Sequence, residues 1–339
     1  LLPFFAAHRL SDITIAEVDR YRNVKVREAE ARRAAVTAWQ QRCEKVKPGG
    51  PRPARPPRPL SATSINKTIT RLGQILERAV EYDLIGRNPA RIGKRKLKVS
   101  TARRAYLDDA ELIVALLDAA AQLDEEARHD GSHVARRTLL ATLAFSGLRI
   151  GELLALRWRD VDLAGGRLRV TGSKTDAGVR DVTLLPVLRD ELATHRARSR
   201  HAGADAFVFA TRSGRRQSDD NLRTRVLAKA IERANEHRAA ADLTPLPEGL
   251  TFHSLRHTAV SALFALGHEL PVVMAEIGHS DPKVTLGIYA HVMRRGPEAK
   301  APLRALVEGT DWAPMGTSTD RAAAGTSPAE ASWNVESPR

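Results

Sequence analysis

The chain has 339 residues, 42% of them hydrophobic, and a formal net charge of +14. That is enough apolar material for two cored domains, and the positive excess favours a polyanionic partner, nucleic acid ahead of an anionic membrane surface. One cysteine, Cys43, excludes an intrachain disulfide and a cysteine metal cluster; a reducing, cytoplasmic setting fits, and neither a membrane-spanning apolar run nor a signal-peptide pattern is evident.

In chain order, residues 11–46 are predicted helical, with Ser11 or Thr14 as cap and Ile15 and Val18 opening an apolar face. "PGGPRPARPPRP" (Pro48 to Pro59) follows. Proline at that density forms neither helix nor central strand. The stretch is expected to be an exposed basic loop, either a passive linker or a contact to nucleic acid through Arg52, Arg55 and Arg58. From Ser61, Ile65, Ile69, Leu72, Leu76 and Val80 step at intervals of three or four, one apolar stripe of a second helix that ends near Gly86.

No acid lies between Asp83 and Asp108, while Arg87, Arg91, Lys94, Arg95, Lys96, Lys98, Arg103 and Arg104 all do. A charge run is usually a solvated face. This one sits at a composition break, and it reads as an interdomain linker able to lie along phosphates. Beyond it, helices are predicted from Asp108 or Asp109 to about Ala121, from His133 to Leu143 and from Arg149 to Leu156. Then the period changes. Gly166 to Pro186 reads as two short strands around a turn. Helices resume at Val187–Arg196 and Asn221–Asn235, then from His253 and from Pro271, with a last one around Tyr289. After about Lys300 the composition turns to Ala, Ser, Thr, Pro and Gly, as in a disordered tail. The fold class is mainly α with a small β-hairpin, α+β.

Four polar groupings stand out, each ambiguous alone. Arg149 and Glu152 are three apart on one helix, as in any surface ion pair. His253 and Arg256 likewise share a face. Lys174 is the only lysine between Lys98 and Lys229. On a tight hairpin it is either a chance survivor or a cation needed for its removable proton, which arginine does not release. Tyr289, flanked by His279 and His291, is compatible with core packing or with a nucleophile, because Val284, Ile288 and Val292 and the row Leu286, Tyr289, Met293 both fit a helix.

In combination and in this order, these elements resemble the tyrosine recombinases of the phage-integrase family. "SGLRIGELLALRW" is similar to the first arginine box, "HSLRHTAV" to the second and "IGHSDPKVTLGIYAHV" to the His-to-Tyr box, while "TGSKTDAGVRDVTL" places Lys174 at the hairpin lysine. The resemblance is specific over residues 105–295 and looser over 10–90. It implies a two-domain DNA clamp: a SAM-like helical core-binding domain over 1–90, lengthened by the Pro-rich insertion 48–60 and expected to lack a first helix before Leu1. A basic linker over 91–105, a catalytic domain over 106–300 and a largely disordered tail over 301–339 follow. Lys94, Arg95, Lys96, Lys98, Arg103 and Arg104 are the expected DNA contacts of the linker.

The implied chemistry is in-line attack of the Tyr289 phenol on a phosphodiester. Arg149 and Arg256 would hold the non-bridging oxygens. His253 is the candidate proton acceptor, His279 the phosphate hydrogen-bonder that packs the tyrosine, and Lys174 the acid for the leaving 5′-oxygen. Glu152 would orient Arg149. His257 and His291 match less critical positions, and Tyr21, Tyr82 and Tyr106 read as packing or linker residues. The product is a 3′-phosphotyrosyl link that conserves the bond energy, so no metal, nucleotide or other cofactor is implied. The implied partners are double-stranded DNA, three further protomers on two DNA sites and accessory DNA-bending or directionality proteins. Ala301–Gly309 is a candidate for a helix docking on the neighbouring protomer. The same boxes also suit a supercoil-relaxing type IB topoisomerase or a regulator that has lost catalysis.

Overall fold

Helix starts follow the caps the sequence offers. Thr14, not Ser11, caps the first long helix, its hydroxyl accepting from the Glu17 amide, and residues 10–12 form a separate 3-10 turn. The computed structural model describes residues 1–46, 50, 53–99, 105–129, 135–171, 178–279, 282, 286, 289 and 296–309. The chain divides into two compact units, Leu1–Arg103 and Arg104–Arg339.

In the first unit a short helix α1 (Leu2–Phe5) precedes α2 (Ile15–Glu44) and α3 (Ala62–Glu81). Ser61 caps α3. Its predicted stripe faces inward: Ile65, Ile69, Leu72 and Leu76 are buried with Val18, Tyr21 and Ala29 of α2. The Tyr21 ring packs on Phe4 and Phe5, and Tyr82 is exposed. Beyond Ala29, α2 buries nothing fully. There residues 53–59 of the Pro-rich segment lie along the helix. The Trp39 indole donates to the Pro53 carbonyl at 2.8 Å, and Arg55 lies over its ring. A tryptophan offers both an apolar face and one N–H, so it can hold a segment whose prolines donate no backbone hydrogen bonds.

The basic stretch after α3 is also tied down. Asn66 pairs with both backbone groups of Leu97, at 2.9 and 2.7 Å, and Arg95 forms an ion pair with Asp19. Lys94, Lys96 and Lys98 are exposed; Arg103 and Arg104 lie outside the described residues.

Among the described residues, the second unit's helices with settled bounds are α4 (Ala110–His129), α5 (Arg136–Ser146), α6 (Ile150–Ala155), α7 (Pro186–Arg198), α8 (Asp219–Leu222), α9 (Ala228–Ala240), α10 (Phe252–Ala265), α11 (Leu270–Ile277) and α12 (Pro297–Glu308). A π-helical turn, Arg223–Leu227, joins α8 to α9. α4 outruns its predicted end by two turns, because Leu123 and Asp124 still pack inward against α5. A three-stranded antiparallel sheet, β1 (Val161–Asp162), β2 (Arg167–Val170) and β3 (Arg180–Thr183), lies in order 1-2-3 with Leu168 opposite Val182. Leu168, Val170 and Val182 alternate into the core, the two-residue period of a half-buried sheet.

α5 and α10 are the centre. Every residue of α5 from Arg137 to Ser146 is buried, and so is nearly all of α10. A helix buried on all sides must satisfy its polar groups internally. Arg137 does so with Glu191 at 2.7 Å and Asp118 at 2.9 Å. The last helix corrects the expected tail boundary: residues 301–308 belong to α12, whose Leu303, Leu306 and Val307 are buried in this chain's own core. The candidate helix at 301–309, with apolar spacing i, i+3, i+4 in "LRALV", thus packs on this chain, whose burial sustains it despite the prolines around it. Among the described residues, no helix is long and apolar enough to cross a membrane.

Candidate active site

α5 ends in a left-handed glycine. Gly147 has φ 63°, and a Cβ there would stand 2.3 Å from Ile277 Cδ1 and 3.2 Å from Ala259 Cβ. Only glycine permits both that turn and that approach. The turn aims the Gly147 carbonyl at Arg256, whose Nη1 donates to it at 2.6 Å. Arg256 Nη2 donates to the Ile277 carbonyl, and Nε has no hydrogen-bond partner. The C-termini of α5 and α11 therefore grip one guanidinium by their free carbonyls. The side chain is 1% exposed.

Arg149 follows two residues after the glycine. It is the N-cap of α6 with extended backbone, not a first-turn residue. Its amide and guanidinium both donate to Glu152, at 2.9 and 2.8 Å, and Nη2 reaches the Gly278 carbonyl at 3.3 Å. The Arg149 side chain is 46% exposed, so its far edge faces solvent while its near edge is fixed. Glu152 is buried and serves a second arginine. Arg180, the first residue of β3, donates to both its oxygens at 3.4 and 3.0 Å and to the Glu276 carbonyl at 2.6 Å. Burial pushes the Glu152 carboxyl up, but the hydrogen bonds from Arg180 and Arg149 outweigh it and hold the group below the usual carboxylate range.

α10 supplies the histidines, opened by a reciprocal Thr251–Ser254 capping box. His253, Arg256 and His257 lie one turn apart. The His253 and His257 rings meet edge to face at 4.9 Å between centroids. His257 Nδ1 is hydrogen-bonded to the Tyr289 phenol, and Tyr289 is fully buried against Phe264 and the α10–α11 cluster. Pro282, Leu286 and Tyr289 are helical; Val284, Ile288, His291, Val292 and Met293 lie outside the described residues. His279 follows the left-handed Gly278, φ 70°, at the end of α11.

The electrostatics of this cluster are cationic. Burial, then the charges of Arg149 and Arg180, press Arg256 down to about 9. Burial, then Arg256, Arg149 and His253, press His279 down to about 4, so its ring is neutral at neutral pH. Several positive groups gathered around the buried Arg256, with one carboxylate tied behind them, make a receptor for an oxyanion.

Of the predicted residues, the structure brings together Arg149, Glu152, His253, Arg256, His279 and Tyr289. Lys174 lies outside the described residues, and the linker residues Lys94, Arg95, Lys96 and Lys98 belong to the other unit. Two residues escaped the sequence reading. His257 was left between support and surface, although i, i+3, i+4 spacing places it with His253 and Arg256. Arg180 carried no signal beyond being a basic residue on a strand otherwise suited to solvent. Among the described residues, no group of three or more His, Cys, Asp or Glu side chains is placed to hold a metal ion.

A domain of the phage integrase family is matched over residues 109–295. The chain is 34% identical over 158 residues to the tyrosine recombinase XerC of Xanthomonas axonopodis pv. citri (strain 306), covering 46% of each. It is 29% identical over 178 residues to the integrase of Staphylococcus phage L54a, covering 45% of this chain and 46% of the relative. The alignments thus span about half the length of these relatives. Among solved structures, the Tn1549 transposon integrase in complex with a circular intermediate DNA is similar with a TM-score of 0.58 and 19% identity, over 87% of this chain and 86% of that one. A lambda integrase tetramer bound to a Holliday junction gives 0.53 and 17%, over 85% and 67%. At these identities the likeness is one of fold.

Proposed function

Because the chain belongs to the phage integrase family, we propose that it is a site-specific DNA recombinase that cuts and rejoins strands through a 3′-phosphotyrosyl intermediate, in the service of a mobile element. The observation that carries this reading is the buried guanidinium of Arg256, set among Arg149, Arg180, His279 and the Tyr289 phenol. A structural arginine would be neutralised by a carboxylate. This one rests on two carbonyls and keeps its Nε free of hydrogen bonds. A cation held at such a desolvation cost has an anion as its natural complement.

A scissile phosphate docked there would place its non-bridging oxygens against Arg149 and Arg256, with neutral His279 as a hydrogen-bond donor. Those contacts strengthen as charge builds on the pentacoordinate phosphorus, and loss of either arginine is expected to cost roughly 10²–10³-fold in rate. His253, three residues before Arg256 on α10, would stand beside the docked phosphate. Lys174 would protonate the departing 5′-oxygen. Glu152 and Arg180 hold Arg149 from behind. The adduct stores the bond energy, so a second 5′-hydroxyl reverses the step without a cofactor. Lys94, Lys96 and Lys98, all exposed, would neutralise phosphates, while Arg95 is paired to Asp19. Duplex DNA is the substrate, and strand exchange calls for four protomers on two sites, with accessory proteins setting direction.

The test is covalent trapping. Nicked duplexes cut from the genomic flanks of the element are mixed with the protein, denatured and examined for adducts. A wild-type adduct that disappears with Tyr289→Phe supports the reading. An adduct that survives the substitution removes Tyr289 as nucleophile.

A further inference from the structure

The phenol of Tyr289 cannot lose its proton to bulk water while it is fully buried. Attack on phosphorus requires that proton to leave, because an unassisted phenol ionises only near pH ~10. The acceptor must therefore be built into the site. His257 Nδ1 is hydrogen-bonded to the phenolic oxygen, and the ring is itself buried. The His253 ring lies against His257 edge-on.

We infer that His257, through Nδ1, is the base that takes the phenolic proton of Tyr289, a role that rests on the reading of Tyr289 as nucleophile given above. In its Nε2–H form the imidazole accepts the phenol's hydrogen bond. As the Tyr289 Oη–P bond forms, the O–H proton passes to Nδ1 and leaves an imidazolium. The P–O5′ bond breaks, and the 5′-oxygen takes a separate proton from the acid on the hairpin. Rejoining runs the same transfers backwards: the imidazolium returns its proton to the departing phenolate. The base on the tyrosine side and the acid on the 5′-oxygen side are thus different groups; after cleavage the first is protonated and the second deprotonated, which sets each for the reverse step.

The position suits the task. His257 sits on α10, buried on both sides and opened by a satisfied capping box, so the ring has little freedom to drift from the phenol. Among the described residues, the titratable and charged groups facing this pair include His253 and Arg256 on α10 itself and Tyr106 from the segment entering α4. Arg256 beside the phenol favours the phenolate that forms, which lowers the demand on the base.

The experiment uses the full chain and two versions of one nicked duplex. One carries the ordinary scissile phosphate; the other has sulfur in place of the 5′-bridging oxygen, so that the leaving thiolate needs no proton. Adduct formation is followed from pH 6 to 9.5 for wild type, His257→Asn, His253→Asn and Lys174→Ala. His257→Asn places an amide oxygen near the old Nδ1 but cannot hold a proton. It is expected to slow cleavage roughly 10²–10⁴-fold near neutral pH, to climb about tenfold per pH unit toward the phenol's own ionisation, and to gain nothing from sulfur. Lys174→Ala should be largely rescued by sulfur. Rescue of His257→Asn by sulfur would assign the residue to the leaving group. A uniform loss with the wild-type pH profile would reduce it to packing, and the steep profile appearing in His253→Asn instead would move the base one turn up the helix. Each of these overturns the inference while leaving the Tyr289 adduct intact, whereas an adduct persisting in Tyr289→Phe would remove the premise. If His257→Asn melts well below wild type, His257→Gln is read on the same two substrates.

Discussion

Replacing Arg180 by methionine isolates the contribution of a residue that no motif singles out. Its side chain is 6% exposed, and it makes charge-assisted bonds to both oxygens of Glu152 and one to the Glu276 carbonyl. Removing one partner of a buried ion pair costs up to about 3–5 kcal/mol when the other charge is left alone. Glu152 is not left alone, since the Arg149 amide and guanidinium remain. What disappears is one charged hydrogen-bonding group, about 1.5–3 kcal/mol, together with part of the burial cost of the orphaned carbonyl. Arg180→Met should therefore destabilise the second unit by about 3 kcal/mol, or about 6–12 °C in Tm for a unit of this size. The sign with pH is also fixed. Glu152 is held below its ordinary range, so its contribution is present above the unfolded value and is lost as pH falls through the folded one. Without Arg180 that acid loss begins at a higher pH. Urea melts of both proteins at pH 4 to 8 measure the difference, and a double-mutant cycle with Glu152→Gln should show strong non-additivity. A change under ~0.5 kcal/mol with cleavage unaltered would refute the claim that Arg180 holds the clamp.

Gly147→Ala should cost at least ~1–2 kcal/mol for the left-handed backbone alone, and more as the new Cβ displaces Ile277; since the Gly147 carbonyl holds Arg256, adduct formation should fall with it, which trapping and melting together record. His279 is pressed down to about 4, so between that pH and the ordinary imidazole value the unfolded chain carries the extra proton. Stability should accordingly fall, on the order of 2 kcal/mol after allowance for partial exposure, as pH drops through that window, and a His279→Gln variant should lose this slope in acid urea titrations. Leu306 is 1% exposed within the core; Leu306→Ala should cost about 2–5 kcal/mol by the cavity it leaves, and a melt within 1 °C of wild type would show that α12 is not seated on its own chain.

How much of this was written in the order of residues can be read from single positions. The stripe Ile65, Ile69, Leu72, Leu76 dictated α3 and its buried face, because a 3.6-residue period leaves no other way to hide those side chains. The hairpin was legible in the change of period at Gly166, and the boxes around Arg149, Arg256, His279 and Tyr289 marked a site because so many chemically apt residues recur in one order. Local patterns failed where the deciding contact was distant. Arg149 reads as a helix residue, yet it is a cap, because Glu152 and Gly278 hold it in extended conformation. The Pro-rich insertion reads as a linker, yet Trp39, fourteen residues earlier, binds it to α2. Two rows fitted the helix of Tyr289 equally well, and only one contains the tyrosine; the packing of Phe264 and His257 chose burial over exposure. The sequence alone determined which residue types would be available and on what periodic faces, since those follow from chain geometry within one or two turns. Tertiary structure decided which carbonyls grip Arg256, which arginine shares Glu152, and which histidine meets the phenol. Those choices join residues 21 to 129 positions apart, and no local spacing rule reaches that far.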